Sequence, residues 1–299
     1  MKNILVPTDF SDCALNAIKF AAELAKKDNA TVHLAHIYQR VISNDTAFNI
    51  ELEADIIIKE KENFETYVQS LSEEDYLKGV KIESSIVSVY KLWDILVMDK
   101  YEDIDMIVMG SNGVDGVQEL FVGTNAQKFV QLAECPVIVI KDETKIANIK
   151  SIVFTSDFKK EVIPRFKVIQ KFANSIGAKL HFLKIRVPKD YIREEEEMAE
   201  IAHFVRETGV DSNEVSVYQS VSVERGIIKF CKDMDAGMVA IETHGRTGLG
   251  HLIHDNIAES LANHSVVPLF SVKIQQDQDT LTSTVAHFLS DKNLIAKIV

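Results

Sequence analysis

Residues 109–126 read MGSNGVDGVQELFVGTNA, and this stretch decides the fold. Four of the twelve glycines of the chain lie inside it. An apolar run, residues 104–108, precedes it and predicts a buried parallel strand. The pattern of residues 127–132 after it predicts a helix. The stretch is therefore a glycine-rich connection between a strand and a helix.

Such a connection suits the binding of phosphate. Glycine lacks a Cβ atom, so its backbone can adopt positive φ, approach a ligand closely and point N–H groups at it. The helix that follows presents unpaired N–H groups and the positive end of its dipole. Thr124 and Asn125 stand where this helix should begin, which adds a hydroxyl and an amide. The alternative is a tight turn that needs its glycines only for geometry.

The glycine spacing resembles that of a known family. Gly110, Gly113, Gly123 and Thr124 follow the pattern G-x2-G-x9-G-S/T of the ATP-binding universal stress proteins, and residues 135–140, CPVIVI, would be the closing strand. This resemblance implies an α/β domain of the Rossmann-like, adenine nucleotide alpha hydrolase-like type. It also implies ATP as the ligand, with Mg²⁺ as its counter-ion.

The chain contains the unit twice. Residues 4–10, ILVPTDF, return as residues 152–158, IVFTSDF, at an offset of 148. Residues near the glycine loop return at an offset of 132, so sixteen residues are lost between the two ends of the second copy. We predict a first domain over residues 1–142, a second over 149–274 and a C-terminal tail helix over 275–299.

Each copy alternates strands and helices, which predicts a doubly wound parallel sheet with right-handed crossovers. The fold class is therefore α/β, with two tandem five-stranded sheets related by a pseudo-two-fold axis. Within the first copy, residues 44–71 predict a long helix, interpreted as an exposed arm or lid. Residues 92–100 predict a further helix that carries Trp93 as a core position.

The resemblance, together with the ends of the predicted strands, assigns candidate nucleotide-binding residues. Asp9 would accept hydrogen bonds from the ribose hydroxyls, or would merely cap the next helix. Ile37 would contact adenine, or would serve only core packing. The whole set is Pro7, Thr8, Asp9, Ile37, Met109, Gly110, Asn112, Gly113, Gly123, Thr124, Asn125 and Ala126.

The family pattern divides the loop residues between the parts of the nucleotide. Met109, Gly110, Asn112 and Gly113 would wrap the ribose and α-phosphate, and residues 123–126 would hold the β- and γ-phosphates. This copy departs from the family where Val114 and Asp115 replace a basic residue and its neighbour. We therefore expect a weaker affinity for phosphate than in typical members.

The second copy diverges at the same positions. Glu242 replaces the leading glycine, and Asp255-Asn256 replaces Gly-Thr at the helix start. Two acids facing a triphosphate would oppose its binding, so we expect the second site to be empty or altered. His251 and His254 lie three residues apart there, but no paired ligand set accompanies them, so no metal site is predicted.

Composition excludes several classes of protein. The net charge of −12 argues against binding to nucleic acid or to anionic membranes, and no apolar run reaches the length of a membrane span. Three widely spaced cysteines argue against a disulfide scaffold and fit a reducing cytoplasm. No P-loop, dinucleotide-binding glycine motif or nucleophile elbow is present.

The combined prediction is an ATP-binding, nucleotide-dependent regulator or stress-tolerance factor without assigned catalytic residues. Two alternatives remain open. One is a weak Mg²⁺-dependent ATPase or phosphotransferase. The other is an ATP-free scaffold whose closing strands, residues 136–140 and 268–272, pair with a partner chain. The expected partners are an adenine nucleotide, the other domain in an intramolecular pseudo-dimer and, in a homodimer, a second copy of the chain.

Overall fold

The structure is a computed structural model of the 299-residue chain. It describes residues 1–39, 48–111, 124–141, 144–188, 194–243, 257, 261 and 267–273. The predicted tail helix over 275–299 lies outside these ranges, as do residues 112–123 of the glycine loop.

Ten strands and six helices alternate along the described chain. The strands are β1 Asn3–Thr8, β2 Thr31–Gln39, β3 Lys81–Val89, β4 Met106–Gly110, β5 Val137–Ile140, β6 Ser151–Thr155, β7 Lys179–Arg186, β8 Val215–Gln219, β9 Met238–Thr243 and β10 Leu269–Lys273. The helices are α1 Asp12–Asp28, α2 Phe48–Ser72, α3 Thr124–Leu132, α4 Ile163–Ile176, α5 Glu194–Thr208 and α6 Val223–Asp233.

All ten strands belong to one sheet with the order β3-β2-β1-β4-β5-β10-β9-β6-β7-β8. The first half (β1 to β5) and the second half (β6 to β10) have the same internal order. In each half the order reverses beside the first strand, between β1 and β4 and between β6 and β9. Such a switch point leaves a crevice at the carboxyl ends of the strands. The predicted α/β class with two doubly wound parallel halves is confirmed.

The two halves meet through β5 and β10, which pair antiparallel in the register Leu269 to Val139. The pairing is reinforced where β10 ends, because Lys273 Nζ lies 2.6 Å from Glu134 Oε1. Both closing strands thus have neighbours on each side. They are not the free edges that the scaffold hypothesis requires; the outer strands of the described sheet are β3 and β8.

Side chains from both faces of the sheet form the core. Along β1, Ile4 and Val6 point to the face that carries α1, α2, α4 and α5, whereas Leu5 points to the face that carries α3 and α6. This alternation follows from the two-residue period of a strand that is covered on both sides. In the second half the first of these faces holds a cluster of buried phenylalanines, Phe154, Phe158, Phe166, Phe182 and Phe204.

The two halves repeat local conformation as well as topology. Phe10 and Phe158, which are 148 residues apart, both adopt positive φ, at 68° and 60°. The sixteen-residue loss falls largely in the second helical region, since α2 has 25 residues and α5 has 15.

Two predictions for the first half were wrong. The long helix α2 is not an exposed arm: Phe64 is 3% exposed and packs in the core together with Leu71, so this helix covers the sheet. Residues 92–100 do not form one α-helix but two short 3₁₀ segments, Leu92–Val97 and Asp99–Tyr101, and Trp93 is only partly buried.

Candidate functional site

A cleft opens at the switch point of the first half, beyond the carboxyl ends of β1 and β4. Ligands of open α/β sheets bind at this place. Its walls come from the turn after β1, the first turn of α1, the end of β4 and the first turn of α3. The lining residues are Pro7, Thr8, Asp9, Ser11, Cys13, Ala14, Ile37, Leu92, Met109, Gly110, Ser111, Asn125 and Ala126.

The turn after β1 directs a carboxylate toward the cleft. Asp9 Oδ1 accepts hydrogen bonds from the backbone N–H and the hydroxyl of Ser11. Ser11, not Asp9, caps α1, since its Oγ accepts from the N–H of Ala14 at 3.3 Å. Among the described residues, Asp9 Oδ2 accepts no hydrogen bond, so this oxygen remains available to a ligand hydroxyl.

Side chains behind the cleft hold this turn in place. His36 Nδ1 lies 3.0 Å from the carbonyl oxygen of Thr8, and its Nε2 lies 3.1 Å from Glu60 Oε2 of α2. The ring of Phe10 stacks on the imidazole at a centroid distance of 4.4 Å. Helix α2 therefore braces the site through Glu60 instead of covering it as a lid.

The cleft has a local preference for anions despite the acidic chain. The first turns of α1 and α3 both line it, through Cys13, Ala14, Asn125 and Ala126. Helix N-termini carry unpaired N–H groups and positive partial charge. Behind Ser111, the buried Lys141 donates from Nζ to the Ser111 hydroxyl at 3.3 Å. Local dipoles and one buried ammonium group can thus offset the net charge of −12.

Close packing between two elements requires a glycine at position 110, whereas the sequence predicted a glycine for the approach of a ligand. A Cβ atom at this position would lie 2.2 Å from the carbonyl oxygen of Cys13 and 2.4 Å from its carbonyl carbon. The glycine therefore lets β4 pass against the first turn of α1. This close packing requires a glycine at position 110, and it places the first turn of α1 at the floor of the cleft.

The structure brings together eight of the twelve predicted site residues in this cleft: Pro7, Thr8, Asp9, Ile37, Met109, Gly110, Asn125 and Ala126. Thr124 begins α3, but its side chain lies outside the described part. Asn112, Gly113 and Gly123 lie outside the described residues.

Sequence reasoning missed other lining residues. Neither Ser11 nor Ser111 was singled out as a site residue, although Ser111 lies inside the glycine-rich stretch. Cys13, Ala14 and Leu92 line the cleft as well. The signal for Ser111 was present, because this residue directly follows β4, a strand that meets the switch point.

In the second half, the position that corresponds to Gly110 carries a long acidic side chain. Glu242 is 1% exposed at the end of β9. Its Oε1 accepts a hydrogen bond from Ser156 Oγ at 2.8 Å, and Ser156 Oγ in turn accepts from the N–H of Phe158. A carboxyl group thus occupies the base of the second switch point.

Burial, together with the nearby charge of Asp157, raises the pKa of Glu242 to about 8, which favours the neutral form of its carboxyl group. Within the described ranges, Glu242 Oε2 and Thr243 Oγ1 are buried without a hydrogen-bond partner. The second half therefore differs from the first in shape and in buried polar groups at the strand end where the first half has Gly110.

No group of three or more histidine, cysteine, aspartate or glutamate side chains in the described part is arranged to hold a metal ion. His244, His251 and His254 lie outside it. None of the described helices has the length and apolarity that crossing a bilayer requires.

Comparisons with known proteins agree with this architecture. The model of the universal stress protein family matches residues 1–141 and 173–273. A universal stress protein from Methanocaldococcus jannaschii is 29% identical over 146 residues, which are 48% of this chain and 84% of that protein. The universal stress protein YxiE from Bacillus subtilis is 27% identical over 144 residues, 46% of this chain and 97% of that protein.

Solved structures also match across both halves. A universal stress protein from Archaeoglobus fulgidus superposes with a TM-score of 0.69, covering 91% of this chain and 98% of that one. At 17% sequence identity, this similarity shows that the two proteins share a fold.

Proposed function

The chain belongs to the universal stress protein family, and on this basis we propose that its first half binds ATP, with Mg²⁺, in the cleft between β1 and β4. The observation that carries the proposal is the convergence of eight residues, selected from the glycine pattern and the strand ends, on one cleft at a topological switch point. In our proposal the protein is a nucleotide-dependent regulator in the stress response.

The residues of the cleft fit the parts of an adenine nucleotide. The free carboxylate oxygen of Asp9 would accept from the ribose hydroxyls. The first turn of α3, with the amide of Asn125, would hold phosphate oxygens. Ile37, Leu92 and Met109 supply the apolar wall that a purine ring needs. Bound Mg²⁺ would neutralise part of the triphosphate charge.

We propose that the second half does not bind ATP in the same way. Glu242 places a buried carboxyl side chain where the first half has a glycine. A nucleotide entering there would find the space beside the end of β9 taken by this side chain. The second half would then serve as the partner of the first in an intramolecular pseudo-dimer, which the β5–β10 pairing supports.

A regulatory role is favoured over an enzymatic one. Asp9 is the single carboxylate among the described residues that line the cleft, so few groups there could act as a general acid or base. One oxygen of Asp9 already accepts a hydrogen bond from Ser11. The ATPase alternative predicts a fast single turnover that Asp9→Ala abolishes; the sensor predicts retention of ATP without such turnover. We further propose a cytoplasmic location, because Cys13, Cys135 and Cys231 are all free thiols.

Asp9→Ala is expected to weaken ATP binding about tenfold, since a hydrogen bond to a charged group contributes about 1.5 kcal/mol. The matched control is Asp157→Ala, at the residue that corresponds to Asp9 in the second half, and it should change the affinity for ATP less than about twofold. Calorimetric titration of each full-length variant with ATP and Mg²⁺ measures both. Equal effects of the two substitutions would contradict the assignment of the site to the first half.

A further inference from the structure

A second cavity lies at the opposite end of the strands from the nucleotide cleft. It has a volume of about 490 Å³ and opens between α1 and α4, where the two halves meet. Leu24 of α1, Met106 and Pro136 at the amino ends of β4 and β5, and Val168 and Phe172 of α4 line it. A mainly apolar cavity of this size at a junction between two halves can take an apolar segment.

The rim of this cavity carries uncompensated positive charge. Lys27, Lys167 and Lys171 line it, and none of the three forms an ion pair with a described residue. The two acids of the rim are already engaged: Asp28 pairs with the amino group of the chain at 3.5 Å, and Asp105 accepts two backbone N–H groups. The occupant should therefore combine apolar and acidic groups.

The internal repeat indicates what kind of occupant fits. At the related place in the other half, the linker that follows β5 packs against α1: Ile146 is 2% exposed, and its N–H donates to Glu23 Oε2 at 2.9 Å. At an offset of 148, the counterpart of Glu23 is Lys171 of the rim. A segment that follows β10 would accordingly meet a cation where the linker meets a carboxylate.

The chain leaves β10 beside the cavity. Lys273, the last residue of β10, is held at 2.6 Å on Glu134, two residues before Pro136 of the cavity wall. Residues 274–299 follow and lie outside the described part. Their first portion, residues 277–281, reads DQDTL and thus combines two acids with a leucine.

We propose that residues 277–281 of the same chain occupy this cavity. Leu281 packs against Leu24 and Phe172, and the two aspartates of the segment pair with the lysines of the rim. The segment does for the second half what the linker does for the first: it seals the groove between α1 and α4 after the closing strand. Eight residues from β10 to Leu281 reach about 26 Å when extended, enough to cross the groove.

Cysteine cross-linking in the full-length chain tests the proposal. Val168→Cys with Leu281→Cys is expected to form an intramolecular disulfide under mild oxidation at least about tenfold faster than a control pair, because docking raises the effective concentration of the two thiols. The control combines Leu281→Cys with Val97→Cys, at a side chain that is 84% exposed in the first half. Single-cysteine variants report any reaction with the three natural cysteines.

Each outcome decides the proposal. Fast cross-linking within monomers supports it. Equal rates for the two pairs would overturn it, and this result is expected if a small molecule fills the cavity. Cross-linked dimers would also overturn it, because they would show that the tail of a second copy fills the cavity. A charge exchange gives an independent reading: Lys171→Glu should slow the cross-link, and adding Asp277→Lys with Asp279→Lys should restore it. Failure of the restoration would contradict the proposed pairing.

Discussion

The free energy of unfolding is expected to fall by about 4 kcal/mol between pH 5 and pH 9 because of one residue, Glu242. Its pKa is about 8 in the folded protein, against an ordinary value of 4.5. Below pH 4.5 the group is protonated in both states and its stabilising contribution is complete. As the pH rises through 8, the unfolded chain has already released the proton that the folded protein must still give up, so stability is lost.

Glu242→Gln should remove this fall, since the amide keeps the shape of the protonated acid and can still bond to Ser156. Urea unfolding of the two proteins at one-unit pH steps gives the difference in free energy directly. Glu102→Gln, at an exposed carboxylate, is the control for a general loss of charge. If the curves of the wild type and Glu242→Gln remained parallel from pH 5 to pH 9, the buried carboxyl would not be neutral in the fold.

Gly110→Ala is expected to lower the free energy of unfolding by about 3 kcal/mol, the upper part of the range for overpacking. The added Cβ would lie 2.2 Å from the carbonyl oxygen of Cys13, and backbone atoms cannot turn aside as a side chain can. Either β4 or the first turn of α1 must move. Because both line the cleft, affinity for ATP should fall at least about tenfold as well.

A matched glycine separates this packing effect from loss of flexibility. Gly177→Ala places its Cβ in open space, with nothing within 4 Å, and meets only the cost of a φ of 71°. That cost is about 1 kcal/mol. Chemical denaturation and ATP titration of both variants give the comparison. Equal destabilisation by the two substitutions would contradict the close approach of β4 to α1.

The sequence was a good guide where local pattern and repetition agree. The return of ILVPTDF as IVFTSDF predicted the first strand of each half. The doubly wound parallel topology followed from the alternation of strands and helices. These features depend on periods and on turn chemistry, which are readable over a few residues.

Other features depend on distant contacts and could not be read in this way. The sequence of α2 suggested an exposed arm or lid, yet Phe64 and Leu71 anchor that helix to the sheet. The pairing of β5 with β10 joins residues about 130 positions apart, so no local sequence pattern predicts it. Gly110 is explained by a carbonyl group in another element, and Glu242 by a hydroxyl 86 residues away.

Equilibrium dialysis of the full-length protein against ATP and Mg²⁺ tests the central claim most directly. We predict saturable binding of about one nucleotide per chain, since one of the two switch points offers bare backbone and the other a buried carboxyl group. Absence of saturation at millimolar ATP would contradict nucleotide binding. Two nucleotides per chain would contradict the difference that we assign to the two halves.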